Sequence, residues 1–192
     1  MISSNIRKLV LCLFYFLSII IVLTTYKDYG IHIEEKFHRL NGLYWLNYIS
    51  SIFDFSLIQE ITKNKIKDIS DYTLSSVTHY NKYGVLFDVP TALIEILFKI
   101  NDVKEVYYLK HLLSFFLFLF SSLVFYLILQ KRFNNFIFSF TGLILYVTTP
   151  RILGDSFLYK DVLFLSFFSF AFYFLIKSIN ELNYKNLLIF AV

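Results

Sequence analysis

Asp28 and His32 stand four residues apart in the stretch YKDYGIH. On a helix that spacing puts a carboxylate and an imidazole on one face, a pairing suited to acid–base work or to a metal ion. An interfacial histidine with no such role fits the same spacing. Glu34 and Glu35 follow within a turn or two, and a second acidic group, Asp155 and Asp161, lies in GDSFLYKD. Arg39, Lys82, Arg151 and Lys160 supply cations near these acids. Carboxylates among cations suit a phosphate-bearing headgroup: the cations hold phosphate oxygens while a carboxylate acts on a sugar hydroxyl. Taken singly, Asp28 also reads as a solvated acid beyond a helix. Asp161 also reads as a first-turn acid favoured by the helix dipole. The five glycines form no phosphate loop, and neither H-E-x-x-H nor a nucleophile elbow occurs. The single cysteine, Cys12, makes no disulfide framework and no thiolate metal site.

The elements that position these residues are set by charge spacing. Of 192 residues, 57% are hydrophobic and only 17% charged, with mean hydropathy +0.62. Soluble domains carry roughly 25% charged residues, so this chain belongs with membrane proteins. The net charge of +4 reads as the Lys/Arg flanks of membrane spans and not as nucleic-acid binding. Uncharged runs of 18, 20, 18 and 15 residues lie between Lys8 and Lys27, Lys110 and Lys131, Arg132 and Arg151, and Asp161 and Lys177. A spanning helix needs about 20 residues. The expected spans are therefore 9–26, 111–130, 133–150 and 157–176, the last extended by Phe157, Leu158 and Tyr159. A fifth run, 186–192, is cut short, which reads as the N-terminal part of a longer protein or a truncated product. The first run lacks a small-residue cleavage site and reads as an uncleaved anchor. With Arg7 and Lys8 inside, Lys131, Arg132, Lys177 and Lys185 also fall inside. Residues 27–110 and 150–160 then lie outside, and Asp28 and Asp161 share one outer surface. The fold class is all-α: a polytopic transmembrane helix bundle, one transmembrane domain over 1–192, with a long extracytoplasmic first loop.

Within that loop, Phe37, Leu40, Tyr44 and Tyr48 recur at helical spacing and, with Trp45, predict an interfacial helix over 33–48, bent at Asn41-Gly42. The polar stretch KNKIKDIS, residues 63–70, reads as an exposed turn. Residues 85–100 carry Asp88 and Glu95, too charged for a lipid-facing span, and predict a helix at the interface or packed on the bundle.

The order of motifs resembles the N-terminal part of GT-C fold membrane glycosyltransferases of the family-39-like group. That group includes protein O-mannosyltransferases and the aminoarabinose transferase of lipid A. A first helix leads at once to an acidic motif, here Asp28-Tyr29-Gly30-Ile31-His32. A Tyr83-Gly84 to Pro90 stretch precedes the second span. The third ends at Thr149-Pro150-Arg151, and a short outer loop reaches Tyr159-Lys160-Asp161. Tyr29 stands where that family often carries a second acid.

What the resemblance implies is transfer of a sugar from a polyprenyl-phosphate-linked donor to an acceptor, with inversion. Asp28 would be the catalytic carboxylate and Asp161, or Asp155, the second acid. Arg39, Lys82, Arg151 and Lys160 would hold the donor phosphate, and a divalent metal serves in some members. On the residues themselves, His32, Glu34 and Asp155 are the further acid–base or metal candidates. The resemblance also implies a bacterial inner-membrane protein with an extracytoplasmic active face. The competing expectation is a non-enzymatic membrane protein, a transporter fragment or accessory subunit, or an inactive remnant. A transporter places ionisable groups within its spans, whereas here they gather at the outer ends.

Overall fold

Backbone in lipid must satisfy its N–H and C=O groups within its own segment, so long apolar runs with few breakers form helices. The computed structural model describes residues 3–32, 34–69, 84–158 and 161–181, and among them every regular element is a helix. These are α1 (Ser4–Thr25), α2 (Glu35–Ile52), α3 (Ser56–Ile69), α4 (Asp88–Leu97), α5 (Val103–Phe133), α6 (Phe136–Thr148), α7 (Pro150–Asp155) and α8 (Asp161–Glu181). Three of them, α1, α5 and α8, are long and apolar enough to cross a membrane. Lys82, Lys160 and the run 186–192 lie outside the described residues. The chain forms two compact units, one of residues Met1–Tyr29 with His111–Val192, the other of Gly30–Lys110.

The first unit is held by aromatic packing along α1. Near the start of α1, the Arg7 guanidinium lies 5.9 Å from the Phe136 ring. Halfway along, Phe14 meets Phe140 edge-on at 5.8 Å. Just past its end, Tyr29 stacks on Phe157 at 3.9 Å. Residues 136–157 therefore follow α1 over its whole length, in the same direction. Helix α5 runs the opposite way: Tyr15 Oη and Ser122 Oγ are 3.1 Å apart, and His111 Nδ1 lies 3.5 Å from the Tyr26 carbonyl. Val22, Phe118 and Leu143 are fully buried between these helices. On the far side of α1, Leu9, Leu13, Phe16 and Ile20 form an exposed stripe. Helical spacing puts them on one face, which acyl chains and not water would cover.

The expected span 133–150 is shortened to 136–148 and breaks at Thr149-Pro150. α6 has 13 residues, a rise of about 20 Å, short of the roughly 30 Å hydrocarbon core. The break has a local cause. Pro150 disfavours helical geometry at the preceding residue, and Thr149 accordingly sits at φ −57°, ψ 118°. Pro150 then opens α7, where its missing N–H costs nothing. The helix of the fourth expected span is α8, Asp161–Glu181, and Phe157 stands in a turn before it. α8 gains its length instead at the C-terminal end, through Glu181.

In the second unit α2 packs against α3 and α4 around Leu40, Leu43, Leu46, Ile66, Ala92 and Ile96. The polar residues 63–69 are helix, where a turn was expected. Ile58, Ile61, Ile66 and Ile69 recur at helical spacing beneath the lysines, and Ile66 is 1% exposed. The stripe of α2 expected to face lipid is in part turned into this core, with Leu40 buried, although Tyr48 stays exposed.

Gly42 does not bend α2, which continues through it. A Cβ there would run into the Asp88 carbonyl oxygen, lie 2.7 Å from the Asp88 carbonyl carbon and 3.2 Å from Ala92 Cβ. Glycine is thus required for close approach of α4. Gly42→Ala gains about 1 kcal/mol of helix propensity. Overpacking costs roughly 1–3 kcal/mol, and an obstacle of backbone lies at the upper end. We expect net destabilisation of about 2 kcal/mol by these magnitudes. A lowered melting temperature, followed by fluorescence of Trp45, the one tryptophan, would show it; an unchanged or raised one would refute the close-approach account.

Candidate functional site

Asp28 is placed by the ordered end of α1. Its N–H donates to the Thr25 carbonyl at 2.9 Å, and the Thr25 hydroxyl donates to the Ile21 carbonyl at 2.8 Å. The Asp28 side chain lines a cleft of about 380 Å³ whose other walls are Ile21, Thr25, Tyr29, Phe115, Leu153 and Phe157. Rings make much of that wall: Phe157 stacks on Tyr29 and tilts against Phe115 at 4.8 Å. Among the described residues of this wall Asp28 is the one carboxylate, and apart from the Thr25 and Tyr29 hydroxyls the rest is apolar. Such a site accommodates an amphipathic ligand, with its apolar part against the rings and a hydroxyl near the acid. The aromatic wall was not foreseen; Phe157 read as the start of a span, and only the adjacency of Tyr29 to Asp28 hinted at it.

Two other acids of this unit, Asp155 and Asp161, lie close in sequence to the cleft wall. Asp155 pairs with Arg151 one helical turn earlier, Nε to Oδ2 3.7 Å. The Arg151 side chain is 86% exposed, so the pair is weak and the guanidinium stays accessible to an anion. Asp161 is exposed and opens α8, four residues after Phe157, where its charge also favours the helix dipole. Residues 26–32 are turn and loop, so the helical face that Asp28 and His32 were expected to share does not form. His32 Nδ1 instead accepts the Glu34 N–H at 3.3 Å. Among the described residues no group of three His, Cys, Asp or Glu side chains is arranged to hold a metal ion.

Arg39 belongs to the second unit and is committed there. Its Nη2 donates to Glu95 Oε1 at 2.7 Å and its Nε to Oε2 at 3.2 Å, with the two side chains 4% and 0% exposed. Lys65 Nζ reaches the same Glu95 oxygen at 3.0 Å and the Ile100 carbonyl at 2.8 Å. The Arg39 guanidinium also lies 5.9 Å from the Tyr107 ring. Asp88, 2% exposed, accepts from Asn41 Nδ2 at 2.7 Å and lies 3.1 Å from His38 Nδ1. Glu35 and Lys110 are buried in the same unit. Burial alone would raise the Glu95 carboxyl, but hydrogen bonds and charge from Arg39 and Lys65 outweigh it and hold it below the ordinary range. Burial would lower Arg39, and Glu95 more than restores it. A signal for this commitment existed in the sequence: Glu35 and Arg39 lie one turn apart, in line with Leu43 and Leu46 on the buried stripe of α2.

Helical fold and apolar spans together define a membrane protein of the all-helical class. No family model, no curated protein and no solved structure matches the chain.

Proposed function

We propose that this protein is a membrane glycosyltransferase that moves a sugar from a polyprenyl-phosphate donor to an acceptor at the extracytoplasmic face. The observation that carries the reading is the lone Asp28 carboxylate at the edge of an aromatic, apolar cleft beside the end of a membrane helix. In the proposed step the acceptor hydroxyl oxygen bonds to the anomeric carbon as the bond from that carbon to the lipid phosphate breaks. The leaving phosphate takes the electron pair, and Asp28 takes the hydroxyl proton. Among the described candidate cations Arg151, exposed and weakly paired, is the accessible one to meet the phosphate. Arg39 would have to leave Glu95 to do so, which weighs against that role. Asp161 is the second acid of the proposal.

The test is turnover of labelled polyprenyl-phosphate sugars by proteoliposomes of the full chain, read as acceptor-dependent release of polyprenyl phosphate. Release above that of empty liposomes is expected. No release with hexosyl and pentosyl donors alike would favour the non-enzymatic membrane protein instead.

A further inference from the structure

Among the described residues of the second unit, the turn joining α2 to α3 carries a dense exposed apolar surface. Ile52, Phe53, Phe55 and Leu57 are 58%, 64%, 55% and 70% exposed, and Tyr48 adjoins them one turn earlier at 57%. Phe53 and Phe55 stack with ring centroids 6.2 Å apart. Their presentation is built and not accidental. Asp54 adopts φ 55°, left-handed geometry that ends a helix sharply and that Asp tolerates better than most residues. The Phe55 N–H then reaches back to the Ser50 carbonyl at 2.9 Å, and the Phe53 N–H to Ile49 at 3.3 Å.

The occupant of this surface is indicated by the two span-length helices that flank the unit in sequence, and the helix end is compatible with it. The last carbonyls of a helix ordinarily turn to water. Here two of the last four are met from within, the Ile49 carbonyl accepting the Phe53 N–H at 3.3 Å. Ser50 accepts from Gln59 Nε2 at 3.1 Å as well as from Phe55. With the Ile49 and Ser50 carbonyls met, this helix end shows less bare backbone to a medium poor in water than an uncapped one would. Such a medium is always within reach. In sequence the unit is bracketed by α1 and by the apolar stretch of α5, both long enough to span, so it is tethered to a bilayer at both ends. Aromatic and aliphatic side chains flanking a single charge match the boundary between headgroups and acyl chains.

We propose that the α2–α3 turn is a wedge that inserts Phe53, Phe55 and Leu57 into the bilayer surface holding α1 and α5. Asp54 limits its depth to the headgroup level. The wedge is independent of the glycosyl-transfer reading and would stand if that reading fell. To test it, the full chain with Cys12→Ser is spin-labelled at Phe53→Cys, Phe55→Cys or Leu57→Cys in phosphatidylcholine–phosphatidylglycerol liposomes. Exposed Glu60→Cys on α3 is the control. Collision with oxygen should exceed collision with a water-soluble nickel chelate at 53 and 55, and the order should reverse at 60. A Phe53→Ser/Phe55→Ser chain labelled at 57 should lose oxygen contact several-fold while unit two keeps its protease resistance. Dominance of the nickel chelate at 53 and 55 would overturn the wedge. So would low collision with both reagents, which would put the turn against protein, a second copy if dipolar broadening accompanies it.

Discussion

Glu95→Ala should unfold the 30–110 unit near room temperature while the membrane helices remain inserted. The substitution leaves Arg39, 4% exposed, without its bidentate partner, and removes an anchor of Lys65. Breaking a buried pair from one side costs about 3–5 kcal/mol, because one charge stays buried uncompensated. Domains hold only about 5–15 kcal/mol in total, and a unit this small sits at the low end. The double change Arg39→Met with Glu95→Leu should recover most of the loss, since apolar side chains replace a buried pair at little cost and Lys65, 15% exposed, can turn its amine to water. Trp45 fluorescence melts and protease resistance read both variants. A Glu95→Ala melt like the parent's would refute the network's role. Acid gives the same answer. Because the folded Glu95 carboxyl sits below its unfolded value, its contribution is complete above the ordinary glutamate pKa of about 4.3 and is lost as pH falls through the lower folded value. The unit should therefore melt earlier as pH drops below about 4.3, and Glu95→Gln should flatten that slope.

Asp28→Asn should lower sugar transfer by about 10²–10⁴-fold, the range for loss of a general base. Asparagine keeps the shape and a hydrogen-bonding oxygen but takes no proton at neutral pH. The fold should not notice, because Asp28 is exposed and no side-chain hydrogen bond ties it to another described residue. Insertion and the Trp45 melt should match the parent while turnover falls in kcat more than in KM. Asp161→Asn separates catalysis from helix capping: a loss of transfer assigns the acid to the reaction, and unchanged transfer leaves it with the dipole of α8. Parental turnover in Asp28→Asn would remove Asp28 from the chemistry.

Apolar runs were legible because lipid imposes one rule along the chain: length without charge. The break of the third run was legible too, since Thr149-Pro150 acts on its own backbone. Contacts made across 40 to 60 residues were not. Arg39 meets Glu95, and Asn41 meets Asp88, through the packing of α4 on α2. Nothing in either local stretch names its partner, so a buried ion pair read as loose interfacial charge. Gly42 was noticed for the wrong reason: its backbone freedom drew attention, while its missing side chain is what α4 needs. α3 was misread because lysines outnumber the isoleucines at its C-terminal end, although the spacing of the isoleucines decides the helix. At the candidate site, Asp28 stood out by position, but much of its aromatic wall comes from Phe115 and Phe157, which looked like any other apolar residues of a span.

Sidedness of labelling is the most direct measurement. With Cys12→Ser as background, cysteines at 28, 161 and 131 are challenged in sealed vesicles with a membrane-impermeant maleimide. Because residues 136–157 track α1 from Arg7 to Tyr29, positions 28 and 161 should react from one side and 131 only after lysis or from the other. Reaction of 28 and 161 from opposite sides would contradict a common surface for the two acids, and with it the proposed site.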